Sequence, residues 1–98
     1  MKQKIIYVSI IVRDYDEAIE YYTKKLNFNL IEDTQLSDSK RWVVVSPPGS
    51  SGTSILLAKA STLKQKKFIG NQTGGRVFLF LHTDNFREDY NRLKKNGV

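Results

Sequence analysis

"IIYVSIIVRDYDEAIEYYTKKLNF", residues 5–28, contains the change of period that decides the fold. In its first part Ile6, Val8, Ile10 and Val12 form one row of alternate residues, and Ile5, Tyr7, Ser9 and Ile11 form the other. In a strand such rows point to opposite faces. From Asp14 the period becomes helical, with Ala18, Ile19, Tyr22 and Leu26 on one stripe. Asp14 is placed as the N-cap, and Glu17 completes a capping-box pattern. Lys24 and Lys25 fall in the last turn, where the helix dipole favours cations, and Asn27 suits a left-handed C-terminal cap. One row of the strand is plainly core; the other, with a phenol and a hydroxyl on it, must face something else.

Three more strands are expected downstream: "FNLIEDTQ" from Phe28, "RWVVVS" from Arg41 and "TSILLAKA" from Thr53. The last two are joined by "PPGSSG", a loop by its proline and glycine content. Ser61 to Gly75 is polar, basic and glycine-containing, and reads as a connection. An apolar run, "RVFLFLH", then predicts a further strand, with Phe78, Phe80 and His82 on one of its faces. A second helix follows, starting near Asp84 as its cap, striped with Phe86, Tyr90 and Leu93, and ending at Gly97.

The two strand–helix units repeat one another. Asp14 to Asn27 and Asp84 to Gly97 are both intervals of thirteen residues, and both helices close on Lys-Lys. A duplicated α+β fold follows. Residues 1–60 form a first βαβββ module, 61–75 a connection, and 76–98 the strand and helix that begin a second, incomplete module. By internal symmetry three strands are missing, so the chain reads as a truncated form of something longer. The uncovered edges and apolar faces predict self-association, as a homodimer.

Composition narrows the chemistry. The chain has 98 residues, 40% hydrophobic and 27% charged, as expected of one soluble globular domain. With no cysteine, disulfides, thiolate catalysis and zinc-finger or iron–sulfur sites are excluded, and the single histidine, His82, cannot build a polyhistidine metal site. No apolar run is long enough to span a bilayer and no signal-peptide pattern is present, so no membrane partner and a cytoplasmic location are expected. Sixteen Lys and Arg against ten Asp and Glu give a net charge of +6, compatible with an anionic small molecule or with nucleic acid. The nucleic-acid reading ranks last, because the aromatics fall on buried stripes and the lysines are scattered. The densest basic cluster, Lys64, Lys66 and Lys67, reads as solvating charge in a loop.

"VRDYDEAIEYYTKKLNF", "RWVVVSPPG" leading into "ILLAKA", and "TDNFREDYNRLKKNGV" together resemble the vicinal oxygen chelate superfamily of glyoxalase I, bleomycin-resistance proteins and extradiol dioxygenases. The resemblance runs through nearly all of the chain. It implies paired βαβββ modules whose strands curl around a concave ligand site, with the helices packed outside. Ile6, Val8, Ile10 and Val12 would then pack on the helix, and Tyr7, Ser9 and Ile11 would face the cavity. Metal-dependent members hold a divalent ion with His or Glu from the first strand and Glu from the last strand of each module. The corresponding positions here are Tyr7, Leu56 and Phe78, the fourth lying in strands that the chain does not contain. None is a strong ligand, since a neutral phenol is a poor substitute for imidazole and Leu and Phe have no donor atom. No metal and no cofactor are therefore expected.

The resemblance thus points to a metal-free binding protein for a small organic molecule, as in drug or metabolite sequestration. The residues expected to line its pocket are Tyr7, Ser9, Trp42, Phe78, Phe80 and His82. Trp42 is a flat stacking surface or a core residue, and Arg41, on the opposite face of the same strand, is an anion clamp or a surface charge. His82, the single histidine, is a candidate general base or a solvated residue at a strand end, with no nucleophile beside it in sequence. The alternative is a lyase, isomerase or dioxygenase of the same superfamily, using a metal held by other residues or by a partner chain.

Overall fold

Val43, Val44 and Val45 are almost wholly excluded from solvent, and the rest of the fold is arranged around the strand that carries them, β3 (Arg41–Ser46). A computed structural model describes residues 1–98. β3 lies between β2 (Asn29–Gln35) and β4 (Ser54–Lys59), antiparallel to both, and β1 (Tyr7–Val12) pairs in parallel with β4. The four-stranded sheet has the order β1-β4-β3-β2. The fold is α+β, with the βαβββ order that the sequence predicts for the first module.

Only one face of this sheet is filled by the helix. Val43, Val45, Ile55, Leu57 and Ile10 project to that face and meet Tyr15 and Ala18 of α1 (Tyr15–Glu20), together with Phe28. Val8, Val12, Ile19, Tyr22 and Leu26 pack around them. This is the apolar row of β1 and the stripe of the helix, as the two periods require. Ile6 precedes the strand and is exposed.

Asp14 caps α1 by accepting from the Glu17 N–H at 2.9 Å. The reciprocal half of the capping box does not form, because the Glu17 carboxylate is held by Arg13 at 2.7 Å from both of its oxygens. Beyond α1 the helix widens into a π turn, Tyr21–Lys25, where the Thr23 hydroxyl donates to the Ile19 carbonyl at 2.7 Å. Asn27 then takes φ 61°, the left-handed cap expected for it. A one-turn helix, α2 (Leu63–Lys66), capped by Thr62, interrupts the expected connection. The second long helix is α3 (Phe86–Lys95), and its cap is Asn85 rather than Asp84: the Asn85 side chain accepts from the Glu88 N–H and donates to the Glu88 carboxylate. No helix is long and apolar enough to cross a membrane.

The expected strand "RVFLFLH" is not formed. Residues 76–82 run without sheet hydrogen bonds, and Val77 to Leu81 are exposed, Phe80 to 90%. A strand needs a paired neighbour to satisfy its backbone. The free edge of β1, which could have supplied one, is occupied at Ile11 by the Gln72 side chain. Its Oε1 accepts from the Ile11 N–H at 3.0 Å and its Nε2 donates to the Ile11 carbonyl at 2.8 Å. Contact between the two repeats lies instead at their helix ends. The Lys25 ammonium donates to the Asn96 carbonyl at 2.9 Å, and the Asn96 amide donates to the Lys25 carbonyl at 3.0 Å.

Leu57 lies in the middle of the core with no exposed surface, so Leu57→Ala is expected to cost about 2–5 kcal/mol in urea unfolding. Leu63→Ala, at a side chain 79% exposed, is expected to stay within about 0.5 kcal/mol of the parent protein.

Candidate functional site

The sheet face turned away from α1 is assembled by register. Tyr7, Ser9 and Ile11 on β1 stand beside Ser54, Leu56 and Ala58 on β4, and Val44 on β3 stands beside Leu56. Trp42 shares the Val44 side of β3 by alternation, with Thr34 and Glu32 opposite the two on β2. Tyr7 and Trp42 approach from opposite ends of this face until their rings meet edge to face, with centroids 5.9 Å apart. The Leu56–Val44 row lies between them in the register, which explains why Val44 is buried although it projects away from the helix. Such a T-shaped pair is the preferred arrangement of two aromatic quadrupoles and holds the indole in one orientation.

Beside Trp42 the face opens into a cavity of about 640 Å³. Ser9, Ile11, Leu56 and Ala58 line it from the sheet, and Lys40 and Gln65 line it from the loop before β3 and from α2. Three of the expected pocket residues, Tyr7, Ser9 and Trp42, are thus brought to one face. Ala58 and Lys40 were not among the residues singled out in the sequence. Their signal was the alternation itself, since Lys40 lies two residues before Trp42 and Ala58 two after Leu56.

The other three are placed elsewhere. Phe78 lies with Leu79 in a groove against α1 that also contains Tyr21 and Tyr22, Phe80 projects into solvent, and His82 lines a separate hollow with Phe28, Pro47 and Arg92. Without the strand over residues 76–82, alternation no longer puts these three side chains on a common surface. In the His82 hollow, the Asp89 carboxyl is held below its usual range by a hydrogen bond from the Thr83 hydroxyl and by Arg92. Burial against the core pushes the Tyr22 phenol above its ordinary value.

Arg41 is neither an anion clamp nor a loose surface charge. Its guanidinium donates to Asp33 at 3.1 and 2.6 Å and to Asp16 at 2.9 Å, and it lies over the Tyr15 ring at 5.3 Å. The hydrogen bond from Arg41 holds the Asp33 carboxyl below its ordinary value, and the two carboxylates raise the guanidinium's. Arg41 therefore joins β2, β3 and α1 on the helix side, with its guanidinium committed to Asp33 and Asp16 although it borders the cavity beside Trp42.

The positions that correspond to family metal ligands do not fit a divalent ion. Tyr7 and Leu56 share the open face but offer a phenol and a hydrocarbon, and Phe78 lies off it. Nowhere do three His, Cys, Asp or Glu side chains converge.

The Glyoxalase/Bleomycin resistance protein/Dioxygenase superfamily model matches residues 4–98. An uncharacterized protein of Shewanella frigidimarina is 62% identical over 99 aligned positions, spanning all of this chain and 73% of its own length. Among solved structures, UcmS2 superposes with a TM-score of 0.82 at 29% identity, over all of this chain and 77% of that one. TnmS3, an antibiotic binding protein from Streptomyces sp. CB03234, superposes with a TM-score of 0.74 at 28% identity, over 99% of this chain and 73% of that one.

The Asp33–Arg41 pair gives stability a specific acid limb. Because the folded Asp33 carboxyl titrates below its unfolded value, the pair's contribution is complete above the unfolded value. It is lost as pH falls through the lowered folded one. Asp33→Asn is expected to lower the melting temperature at neutral pH and to flatten its decline below about pH 4. Melting curves for the two proteins that stay parallel down to about pH 2 would show that the pair does not contribute.

Proposed function

The chain belongs to the Glyoxalase/Bleomycin resistance protein/Dioxygenase superfamily, and from that premise we propose that it is a metal-independent binding protein for a small organic molecule, working by sequestration. The observation that carries this reading is the Tyr7–Trp42 pair on a sheet face that the helix leaves open, beside a cavity with an apolar floor and a polar, partly cationic rim. That is the profile of a small-molecule site. That TnmS3 is an antibiotic binding protein supports a ligand of that kind. Tyr7, Ser9 and Trp42 are its binding residues. Phe78, Phe80 and His82 join it only if the 76–82 segment moves onto the sheet.

A lyase or dioxygenase reading would need a metal held by residues other than Tyr7, Leu56 and Phe78. The binding reading includes a homodimer, supported by the exposed apolar run Val77–Leu81 and by Phe86 and Tyr90 on α3.

A thermal-shift screen of chelator-treated protein, with divalent metals in one arm and drug-like organic molecules in the other, tests the reading. A ligand at a hundredfold its Kd stabilises by about 2.7 kcal/mol, so a binder is readily seen. Saturable shifts with organic molecules, lost in Trp42→Leu, are the expected result. A saturable shift with one metal and none with any organic molecule would overturn it. Light scattering at high concentration is expected to show a dimer, and a monodisperse monomer would remove that part of the reading.

A further inference from the structure

The cavity beside Trp42 has a charge that the rest of its face lacks. Its lining contains Lys40, Arg41 and Lys59 and no carboxylate. Arg41 is consumed by Asp33 and Asp16, but Lys40 and Lys59 take part in none of the ion pairs of the chain. Glu32, the acidic residue on the open face, is outside the lining and is engaged by the Thr34 hydroxyl at 3.0 Å. Two uncompensated cations therefore border the cavity, Lys40 with the parity of Trp42 and Lys59 from the helix side of β4 at the same end of the sheet, around a floor of Ile11, Leu56 and Ala58 and a wall that is a half-buried indole.

Resting on the binding role proposed above, we infer that the ligand of this cavity is a planar aromatic acid, stacked on Trp42 with its anionic group toward Lys40 and the end of the sheet that Lys59 borders. Each half of that description excludes a class. An aliphatic anion would leave the indole and the apolar floor without a partner. A neutral ring would leave both ammonium groups unmatched, and a cationic ring would be repelled by them. The volume, about 640 Å³, admits a fused ring system and its substituent. Tyr7 fixes the indole before the ligand arrives, so little ordering remains to be done on binding. The net charge of +6 draws an anion toward the protein from beyond contact range.

Trp42 is the only tryptophan, so its indole N–H gives a single resonance that reports this cavity alone. The protein is titrated with 2-naphthoate, its neutral isostere 2-naphthalenemethanol and its cationic isostere 2-naphthylmethylamine, following that resonance. The naphthoate is expected to bind at least about tenfold tighter than the alcohol, a difference of roughly 1.4 kcal/mol, and to weaken with added salt while the alcohol does not. The double variant Lys40→Gln, Lys59→Gln is expected to abolish the naphthoate's advantage and leave the alcohol's affinity unchanged. If the alcohol or the amine moves the indole resonance at equal or lower concentration, or the double variant keeps the preference for the acid, the aromatic-acid inference is overturned while the binding role stands. If none of the three moves the resonance, the aromatic-acid inference falls, and the thermal-shift screen decides the binding role separately.

Discussion

The parallel pairing of β1 with β4 is the constraint on which the remaining structure depends. Two parallel neighbours cannot be joined by a tight turn, so the chain must leave β1, cross the sheet and return. The crossing is made by α1, which fixes the face on which the helix lies. Every apolar residue of matching parity, Ile10, Val43, Val45, Ile55 and Leu57, is then committed to that face. Tyr7, Ser9, Trp42 and Leu56 are committed to the other by the same alternation. A core that covers one side of the sheet and leaves aromatic residues on the other is thus the source of both the stability and the candidate site.

Arg41 and Trp42 show how finely this division operates. They are adjacent in sequence, yet one is tied to two carboxylates and a phenol ring on the helix side, and the other meets Tyr7 on the open side. The Arg41–Asp16 pair has a largely exposed carboxylate and is individually weak, whereas the Arg41–Asp33 pair is bidentate and half-buried. Their structural effect comes from joining three elements at one guanidinium, a geometry that a lysine could not reproduce. By occupying Arg41 on the helix side, Asp33 and Asp16 also leave the charge at the cavity to Lys40 and Lys59.

Features that depend on neighbouring residues were legible in the sequence. The Asp14 cap, the left-handed Asn27, the row of β1 and the bounds of β3 all follow from local chemistry and periodicity. Features decided by distant partners were not. "RVFLFLH" has the composition of a strand, but whether it is one depends on a neighbour's free N–H and C=O groups, and those of Ile11 are taken by Gln72. No pattern marks a glutamine sixty-one residues away as a substitute strand. The Phe78, Phe80 and His82 half of the expected pocket depended on that strand and is dispersed without it, whereas the Tyr7, Ser9 and Trp42 half depended on strands that do form. The acid partners of Arg41 and the switch of the cap from Asp84 to Asn85 are likewise three-dimensional choices among locally equivalent residues.

The claim that the helix-free face is the binding face is tested most directly by a crystal structure of the protein with the organic compound that raises its melting temperature furthest. Density for that compound against Trp42, Ser9 and Leu56 is the expected result. Density in the groove between α1 and residues 69–79, with the Trp42 cavity holding only solvent, would contradict it.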